Sequence, residues 1–190
     1  MPQEIEVKFR LDDPNDLRVR LSDRGARTLS HVLEINHIFD TADRGLLATD
    51  CGLRLRTAHN PDTGEPVSAT LTYKGPRAAG VAKSREEVET VVADASATET
   101  ILLRLGYSEV IVYEKRRETW HLDECEVCLD ELPRLGWFVE IEGPDAATIR
   151  AAQERLGLSD TTLLHETYAE LAATHGTPAG EGSVRLGFAG

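Results

Sequence analysis

Cysteines, aromatic residues and long apolar runs are scarce in this sequence, and each scarcity excludes a class of protein. The 190 residues include three cysteines, and 5% of the residues are aromatic. Three cysteines are too few for a disulfide framework, and no apolar run approaches the roughly 20 residues of a membrane-spanning helix. The start, MPQEIEVKFR, enters a charged segment at once and has no apolar signal-peptide core. We therefore expect a reduced, cytoplasmic protein.

Positive charge is also in short supply. The sequence has 33 acidic and 21 basic residues, which gives a formal net charge of −12. Nucleic acids and anionic membranes need a broad basic surface, so neither is expected as a partner. A local basic pocket for a small anion stays compatible with this balance, because it depends on where the charges lie.

The two cysteines in CEVC, Cys125 and Cys128, have the spacing of a redox or metal motif. They lie in a strand-like run, where residues three apart point to opposite faces. No second cysteine pair accompanies them, and the six histidines are scattered. We therefore do not interpret this pair as a site.

Segments with alternating apolar and polar residues dominate the rest of the chain. About eight such segments and a few helical ones predict an α+β protein built on antiparallel sheet. The simplest architecture is an eight-stranded antiparallel closed β-barrel with helices packed outside, because closure removes exposed strand edges. We expect one domain over residues 1–175, followed by a flexible, Gly-rich C-terminal tail over residues 176–190.

The polar faces of these strands carry long charged side chains rather than threonine, serine and glutamine. Taken singly, each strand fits an ordinary half-buried strand with its charges in solvent. Taken together, seven bases and seven acids recur at period two, which suits a charged interior at least as well. These residues are Glu4, Glu6, Lys8, Arg54, Arg56, Lys74, Arg85, Glu87, Glu89, Lys115, Arg117, Asp130, Glu140 and Glu142.

A charged interior of this kind needs compensation, since an unpaired buried ion costs several kcal/mol. Arg and Lys complement phosphate oxygens. Carboxylates bind hard cations such as Mg²⁺ and Mn²⁺, which also bridge to phosphates. The balance of charges therefore indicates a triphosphate-like small molecule bound together with a divalent metal.

The ordered set of motifs resembles the CYTH superfamily, the triphosphate tunnel metalloenzymes. The opening Glu-x-Glu-x-Lys stands here as Glu4, Glu6 and Lys8. The later matching segments are LRLR, LTYKGP, SREEVE, YEKRRE and CLDELPRLGWFVEIEG, and the resemblance runs from about residue 4 to residue 170. It implies an eight-stranded barrel that binds a triphosphate with Mg²⁺ or Mn²⁺.

The resemblance also implies roles for the charged residues. Glu4, Glu6 and Lys8 are expected to be catalytic, and Glu87 and Glu89 are expected to support the site. The expected phosphate-binding residues are Lys8, Arg54, Arg56, Lys74, Arg85, Lys115 and Arg117. The expected metal ligands are Glu4, Glu6, Asp130, Glu140 and Glu142.

Two reactions fit the resemblance, which is greatest to the class IV adenylate cyclase branch. In a cyclase, the ribose 3′-hydroxyl of ATP attacks the α-phosphorus, and cyclic AMP and pyrophosphate form. In a triphosphatase, water attacks a terminal phosphorus of tripolyphosphate, thiamine triphosphate or a nucleoside triphosphate. A non-catalytic polyphosphate or nucleotide sensor, a purely structural barrel and a homodimer remain open alternatives.

Overall fold

The computed structural model describes residues 3–77, 83–180 and 182–189, excluding the side chains of Gln3, Glu4, Lys83 and Ser84. The chain folds into an α+β structure of ten strands and five helices within these ranges. The strands are β1 (Gln3–Leu11), β2 (Arg27–Thr41), β3 (Gly52–His59), β4 (Pro66–Lys74), β5 (Lys83–Val91), β6 (Tyr107–Leu122), β7 (Cys125–Leu132), β8 (Gly136–Glu142), β9 (Thr177–Pro178) and β10 (Val184–Leu186). The helices are α1 (Pro14–Asp23), α2 (Gly45–Ala48), α3 (Ala95–Arg104), α4 (Ala146–Leu156) and α5 (Tyr168–His175).

The strands pair in one curled sheet of order β2-β3-β4-β5-β1-β8-β7-β6-β10-β9, with an additional pairing between β2 and β6. All pairings among the eight long strands are antiparallel, as predicted. The wall is uneven, because β2 and β6 share 14 residue pairs whereas β1 and β5 share only four. The prediction of an eight-stranded antiparallel closed β-barrel is therefore confirmed only in part. The sheet is better described as a curled half-barrel, since its strands differ greatly in length.

The outer side of the sheet is apolar and is covered by helices, as predicted. Alternate residues of β1, β7 and β8, such as Phe9, Leu129 and Ile141, form the largest core cluster with α1 and α4. A separate cluster joins α3 to β2 and β3. Asp13 caps α1 through hydrogen bonds from two backbone N–H groups, and Pro14 opens the first turn. None of the described helices is long and apolar enough to span a membrane.

Helix α5 departs from the prediction that the helices pack outside. Tyr168 and Leu171 pack against Tyr113, Leu132 and Phe138. These last three residues share a face with Lys115, Asp130 and Glu140, because they lie an even number of positions away in the same strands. Helix α5 therefore fills part of the concave side of the sheet.

The C-terminal segment, which was predicted to be a flexible tail, is paired with the sheet. After α5, strand β10 pairs in parallel with β6 and antiparallel with β9, within the described residues of 176–189. Leu186 is fully buried in the same cluster as α5, and Phe188 packs over the guanidinium of Arg116. One aliphatic residue at the right register is enough to anchor a Gly-rich segment to a sheet edge, since burying it is favourable by about 2 kcal/mol.

Candidate functional site

The strand register brings the predicted site residues to one face of the curled sheet. Lys8 stands opposite Glu140, and Arg117 stands opposite Asp130. The remaining pairings carry the other predicted residues to the same side. We call this the charged face. The side chain of Glu4 lies outside the described part of the chain, and its register position is opposite Arg85.

The centre of the charged face is a chain of alternating charges. Lys8 Nζ lies 3.1 Å from Glu140 Oε1, and Arg117 binds the other oxygen of Glu140. Arg117 also donates from Nε to Asp130 Oδ1 at 2.7 Å and from Nη2 to Oδ2 at 2.5 Å. Such two-pronged contacts match the planar guanidinium to a carboxylate. Four residues from four strands are thereby fixed relative to one another.

Electrostatics keep Glu140 ionised although it is buried. Burial alone would raise the pKa of Glu140. The nearby Lys8, Arg117 and Lys115 cations outweigh burial and hold this pKa well below its usual value. A carboxylate with this charge state can hold neighbouring bases in place or bind a cation.

Glu34 belongs to the same network, although the sequence-based prediction omits it. Its Oε2 lies 3.4 Å from Lys115 Nζ and 3.3 Å from Arg56 Nε. Lys115 in turn contacts Asp130 Oδ2 at 3.3 Å. Burial would raise the pKa of Glu34, but Lys115 and Arg56 reverse this effect and lower it strongly. Glu34 thus connects the bases of β3 with those of β6.

A second group of ion pairs lies on β3, β4 and β5. Lys74 Nζ is 2.6 Å from Glu87 Oε2. Arg54 Nη2 lies 3.9 Å from Glu87 and 3.8 Å from Glu89, at the outer limit of an ion pair. Glu87 and Glu89 therefore neighbour the bases that they were expected to support.

Among the described residues, several buried donors on β2, β3 and β4 have no hydrogen-bond acceptor. They are Asn36 Nδ2, Arg54 Nε and Thr70 Oγ1. Arg56 donates to Asn36 Oδ1 at 3.1 Å, and this contact sets the orientation of the Asn36 amide. A buried donor without an acceptor costs about 1–3 kcal/mol. A ligand rich in anionic oxygens would satisfy these donors.

Glu6, Glu142 and Arg85 lie towards the more accessible part of the charged face. Glu6 stands directly opposite Glu142 in the β1–β8 register. Glu142 is exposed, whereas Glu6 and Arg85 are half-buried. Within the described ranges, the Arg85 side chain forms no ion pair or hydrogen bond, although its charge acts on Asp50 at longer range. It is therefore a cation that can bind an external anion without breaking an internal contact.

Tyr168, the first residue of α5, also contacts the charged face. Its hydroxyl donates to Asp130 Oδ2 at 2.7 Å. Burial, followed by the nearby Asp130 and Glu140 carboxylates, raises the pKa of Tyr168 well above its usual value. The phenol therefore stays a hydrogen-bond donor. Helix periodicity gives no sign of this contact.

The acidic residues fit a divalent metal unequally. Glu6 and Glu142 offer carboxylate oxygens, which suit Mg²⁺ or Mn²⁺. Glu140 offers the same chemistry, although its oxygens already contact Lys8 and Arg117. Asp130 fits less well, because it is completely buried and its oxygens already accept from Arg117, Lys115 and Tyr168. Over the described residues, no group of three or more His, Cys, Asp or Glu side chains is arranged to hold a metal.

The family-model comparison agrees with this geometry. The model of the CYTH domain matches residues 2–168. The chain belongs to the CYTH family. This confirms the resemblance drawn from the ordered charged motifs.

Curated CYTH relatives carry adenylate cyclase names. MJ0240 of Methanocaldococcus jannaschii, named as a candidate adenylate cyclase, is 31% identical over 139 residues, which cover 73% of this chain and 75% of the relative. Adenylate cyclase CyaB of Aeromonas hydrophila is 29% identical over 180 residues, which cover 88% of this chain and 87% of the relative.

Solved structures share the fold at lower identity. The PH1819 protein of Pyrococcus horikoshii OT3 superposes with a TM-score of 0.76 at 24% identity, covering 90% of this chain and 98% of that chain. HpAC1 of Hippeastrum superposes with a TM-score of 0.66 at 17% identity, covering 86% of this chain and 92% of that chain. HpAC1 is described as a candidate adenylyl cyclase with a dominant triphosphatase activity.

Proposed function

We propose that this CYTH protein is a divalent-metal-dependent enzyme that acts on a triphosphate bound at the charged face. The first candidate reaction is that of the class IV adenylate cyclase branch, the conversion of ATP to cyclic AMP and pyrophosphate. The names of the two curated relatives support this candidate. The second candidate is hydrolysis of inorganic tripolyphosphate, thiamine triphosphate or a nucleoside triphosphate.

The observation that carries the proposal is the convergence of the predicted bases and acids on one face of the sheet. The bases come from β1, β3, β4, β5 and β6 and surround a concave surface rather than a flat one. A triphosphate presents anionic oxygens along its whole length, which matches a surface lined by bases on several sides. The unpartnered donors of Asn36 and Arg54 add two hydrogen bonds that such an anion can accept.

The residues of this chain would act mainly by positioning and charge neutralisation. In both candidate reactions an oxygen attacks phosphorus in line with the leaving oxygen. Bases held by Glu34, Glu140 and Asp130 are fixed before the ligand binds, and fixed charges stabilise a transition state most effectively. Lys8 is buried beside Glu140 and is the base of the opening motif.

A bound Mg²⁺ or Mn²⁺ would be held by Glu6, Glu140 and Glu142, with Glu4 as a further candidate ligand. The metal would neutralise phosphate charge and orient the phosphate chain. Asp130 was also expected as a ligand. Its contacts favour a different contribution, which is to hold Arg117 and Lys115 on the charged face.

One observation favours the triphosphatase candidate. Three aromatic side chains next to the charged face, Tyr113, Phe138 and Tyr168, are at most 6% exposed because helix α5 packs against them. They therefore offer no open ring on which an adenine could stack. A surface that recognises phosphate alone suits tripolyphosphate as well as ATP. The described activity of HpAC1 gives this candidate further support.

The deciding experiment is a product assay with several substrates. The purified protein is incubated with ATP, tripolyphosphate or thiamine triphosphate in the presence of Mg²⁺ or Mn²⁺. Cyclic AMP with pyrophosphate would identify a cyclase, and orthophosphate without cyclic AMP would identify a triphosphatase. Binding of tripolyphosphate without any product would favour a sensor, and neither binding nor product would contradict the proposal.

Arg85 offers the sharpest test of where the ligand binds. Its replacement breaks no internal ion pair of the described structure, so Arg85→Met should keep the stability of the wild-type protein. The variant should lower kcat/KM by about tenfold, because it loses a charged contact with the phosphate ligand. Arg116→Met is the matched control, because Arg116 lies on the opposite side of β6 and is exposed. If both variants kept full activity, the ligand would not bind to the charged face at Arg85.

A further inference from the structure

Tyr168 lies between the two buried lysines of the charged face. The centre of its ring is 3.5 Å from Lys8 Nζ and 4.8 Å from Lys115 Nζ. An ammonium within about 6 Å of an aromatic centroid is attracted to the ring face. One ring thus contacts two cations that belong to different strands, β1 and β6.

The hydroxyl and the backbone around Tyr168 hold this ring in place. The hydroxyl donates to Asp130 Oδ2, which also accepts from Lys115. Lys8 Nζ donates to the Glu166 carbonyl at 3.2 Å. A reciprocal capping box between Thr167 and Glu170 fixes the first turn of α5. The position of Lys8 is therefore set by the start of this helix as well as by Glu140.

The segment after Tyr168 secures the helix against the sheet. Leu171 and Ala172 pack in one cluster with Phe138 and Leu186, and Arg134 donates to the His175 carbonyl at 3.0 Å. Leu171, Ala172, His175 and Leu186 lie beyond residue 168, where the family match ends. The chain therefore uses its own C-terminal segment to keep the Tyr168 ring under the lysines.

We propose that Tyr168 is a positioning residue of the charged face, which holds the Lys8 and Lys115 ammonium groups in the geometry that a bound triphosphate requires. This inference rests on the proposed function. Tyr168 acts through the two lysines and Asp130, and it is assigned no proton transfer.

The test separates the ring from the hydroxyl with two variants. Tyr168→Leu removes the ring from both lysines and should lower kcat for the preferred triphosphate by about tenfold, with KM changed less than about threefold, because the arginines still bind the ligand. Tyr168→Phe keeps the ring and should restore kcat to within about threefold of the wild-type protein. Binding of inorganic tripolyphosphate is measured in parallel by calorimetry, without added metal, and should weaken more in Tyr168→Leu than in Tyr168→Phe.

Leu21→Ala is the control for a loss of packing alone, because Leu21 of α1 is buried in the core cluster on the outer side of the sheet, away from the charged face. It should lower the melting temperature while leaving kcat and the affinity for tripolyphosphate unchanged below that temperature. The proposal is overturned if Tyr168→Leu and Leu21→Ala have the same kinetic and binding constants. If the wild-type protein neither binds nor converts a triphosphate, the proposed function itself fails; if it does either, the comparison of variants decides on Tyr168 alone.

Discussion

At the scale of single residues, the charged face consists of ions that stabilise one another. Arg117 contacts both Asp130 and Glu140, and Asp130 also accepts from Lys115. Removing one ion from such a network leaves its partners buried with uncompensated charge. The site is therefore rigid before a ligand arrives, and its residues cannot be replaced independently.

The neighbouring arginines of β6 allow a matched test of this coupling. Arg117→Ala should lower the free energy of unfolding by about 3–5 kcal/mol, because Asp130 stays buried after losing two hydrogen bonds. Arg116→Ala removes an exposed ion pair with Glu131 and a contact with the Phe188 ring, and it should cost no more than about 1–2 kcal/mol. Urea denaturation at neutral pH measures both. Equal losses in the two variants would contradict a coupled network on the charged face.

The three cysteines should differ in reactivity. Cys51 is half-buried, whereas Cys125 and Cys128 are buried on opposite faces of β7. Burial, with Asp130 and Glu140 nearby, raises the pKa of Cys128 to about 12, although Arg117 opposes this shift. Burial also raises the pKa of Cys125. At pH 8 both buried cysteines are therefore protonated thiols in the folded protein.

A thiol-specific reagent at pH 8 should therefore modify Cys51 quickly. It should modify Cys125 and Cys128 on the order of a hundredfold more slowly. Cys51→Ser should remove the fast phase, and Cys125→Ser should leave it unchanged. Two or three fast thiols in the native protein would show that the sheet opens more readily than its packing indicates.

Period-two alternation predicted which residues share the charged face, because a strand fixes the side of every side chain. The same rule could have found Glu34 and Asn36, which alternate with Leu33 and Ile35 along β2. Tyr168 could not be found in this way. Its contacts with Lys8 and Asp130 depend on where α5 docks, and residues 160 or 38 positions apart leave no local pattern.

At the scale of secondary structure elements, the strands were predictable and the C-terminal segment was not. Helix α5 and strand β10 join the sheet through a few apolar residues, of which Leu186 is fully buried. A Gly-rich composition is typical of mobile tails, and it therefore gave no indication that Leu186 attaches this segment to the sheet.

The anchoring of this segment can be measured with one pair of leucines. Leu186→Ala should lower the free energy of unfolding by about 2–4 kcal/mol, since it leaves a cavity beside α5. Leu105→Ala is the control, because Leu105 is 69% exposed and should change stability by less than about 0.5 kcal/mol. A neutral Leu186→Ala variant would show that residues 176–189 form the mobile tail that their composition suggests.

At the scale of the whole molecule, the net charge of the chain differs from the charge balance of the charged face. The net charge of −12 is spread over surface residues that water solvates. The charged face instead holds bases and acids in near balance, because buried ions are tolerated only in pairs. A phosphate ligand is therefore attracted by local cations although the protein repels anions at long range. Its association should accelerate as salt screens that repulsion.

The same buried acids make the fold sensitive to low pH. The pKa of Glu34 and that of Glu140 are both depressed in the folded protein by neighbouring bases, after burial has been overcome. An acid with a depressed pKa stabilises the fold fully above its unfolded value, here 4.5. This stabilisation is lost as the pH falls below that value towards the folded pKa, because the unfolded chain then binds protons that the native state does not.

Glu34→Gln isolates this effect in one residue. At pH 7 the variant should be less stable than the wild-type protein by about 3 kcal/mol, because Lys115 and Arg56 lose a buried counter-ion. Below pH 4.5 the difference should shrink steadily, since the wild-type protein then loses the same contribution. Glu154→Gln, at an exposed position of α4, should track the wild-type protein at every pH. Urea denaturation from pH 3 to pH 7 measures all three proteins. A difference between wild type and Glu34→Gln that stayed constant with pH would mean that Glu34 stabilises the fold by packing and not as an anion.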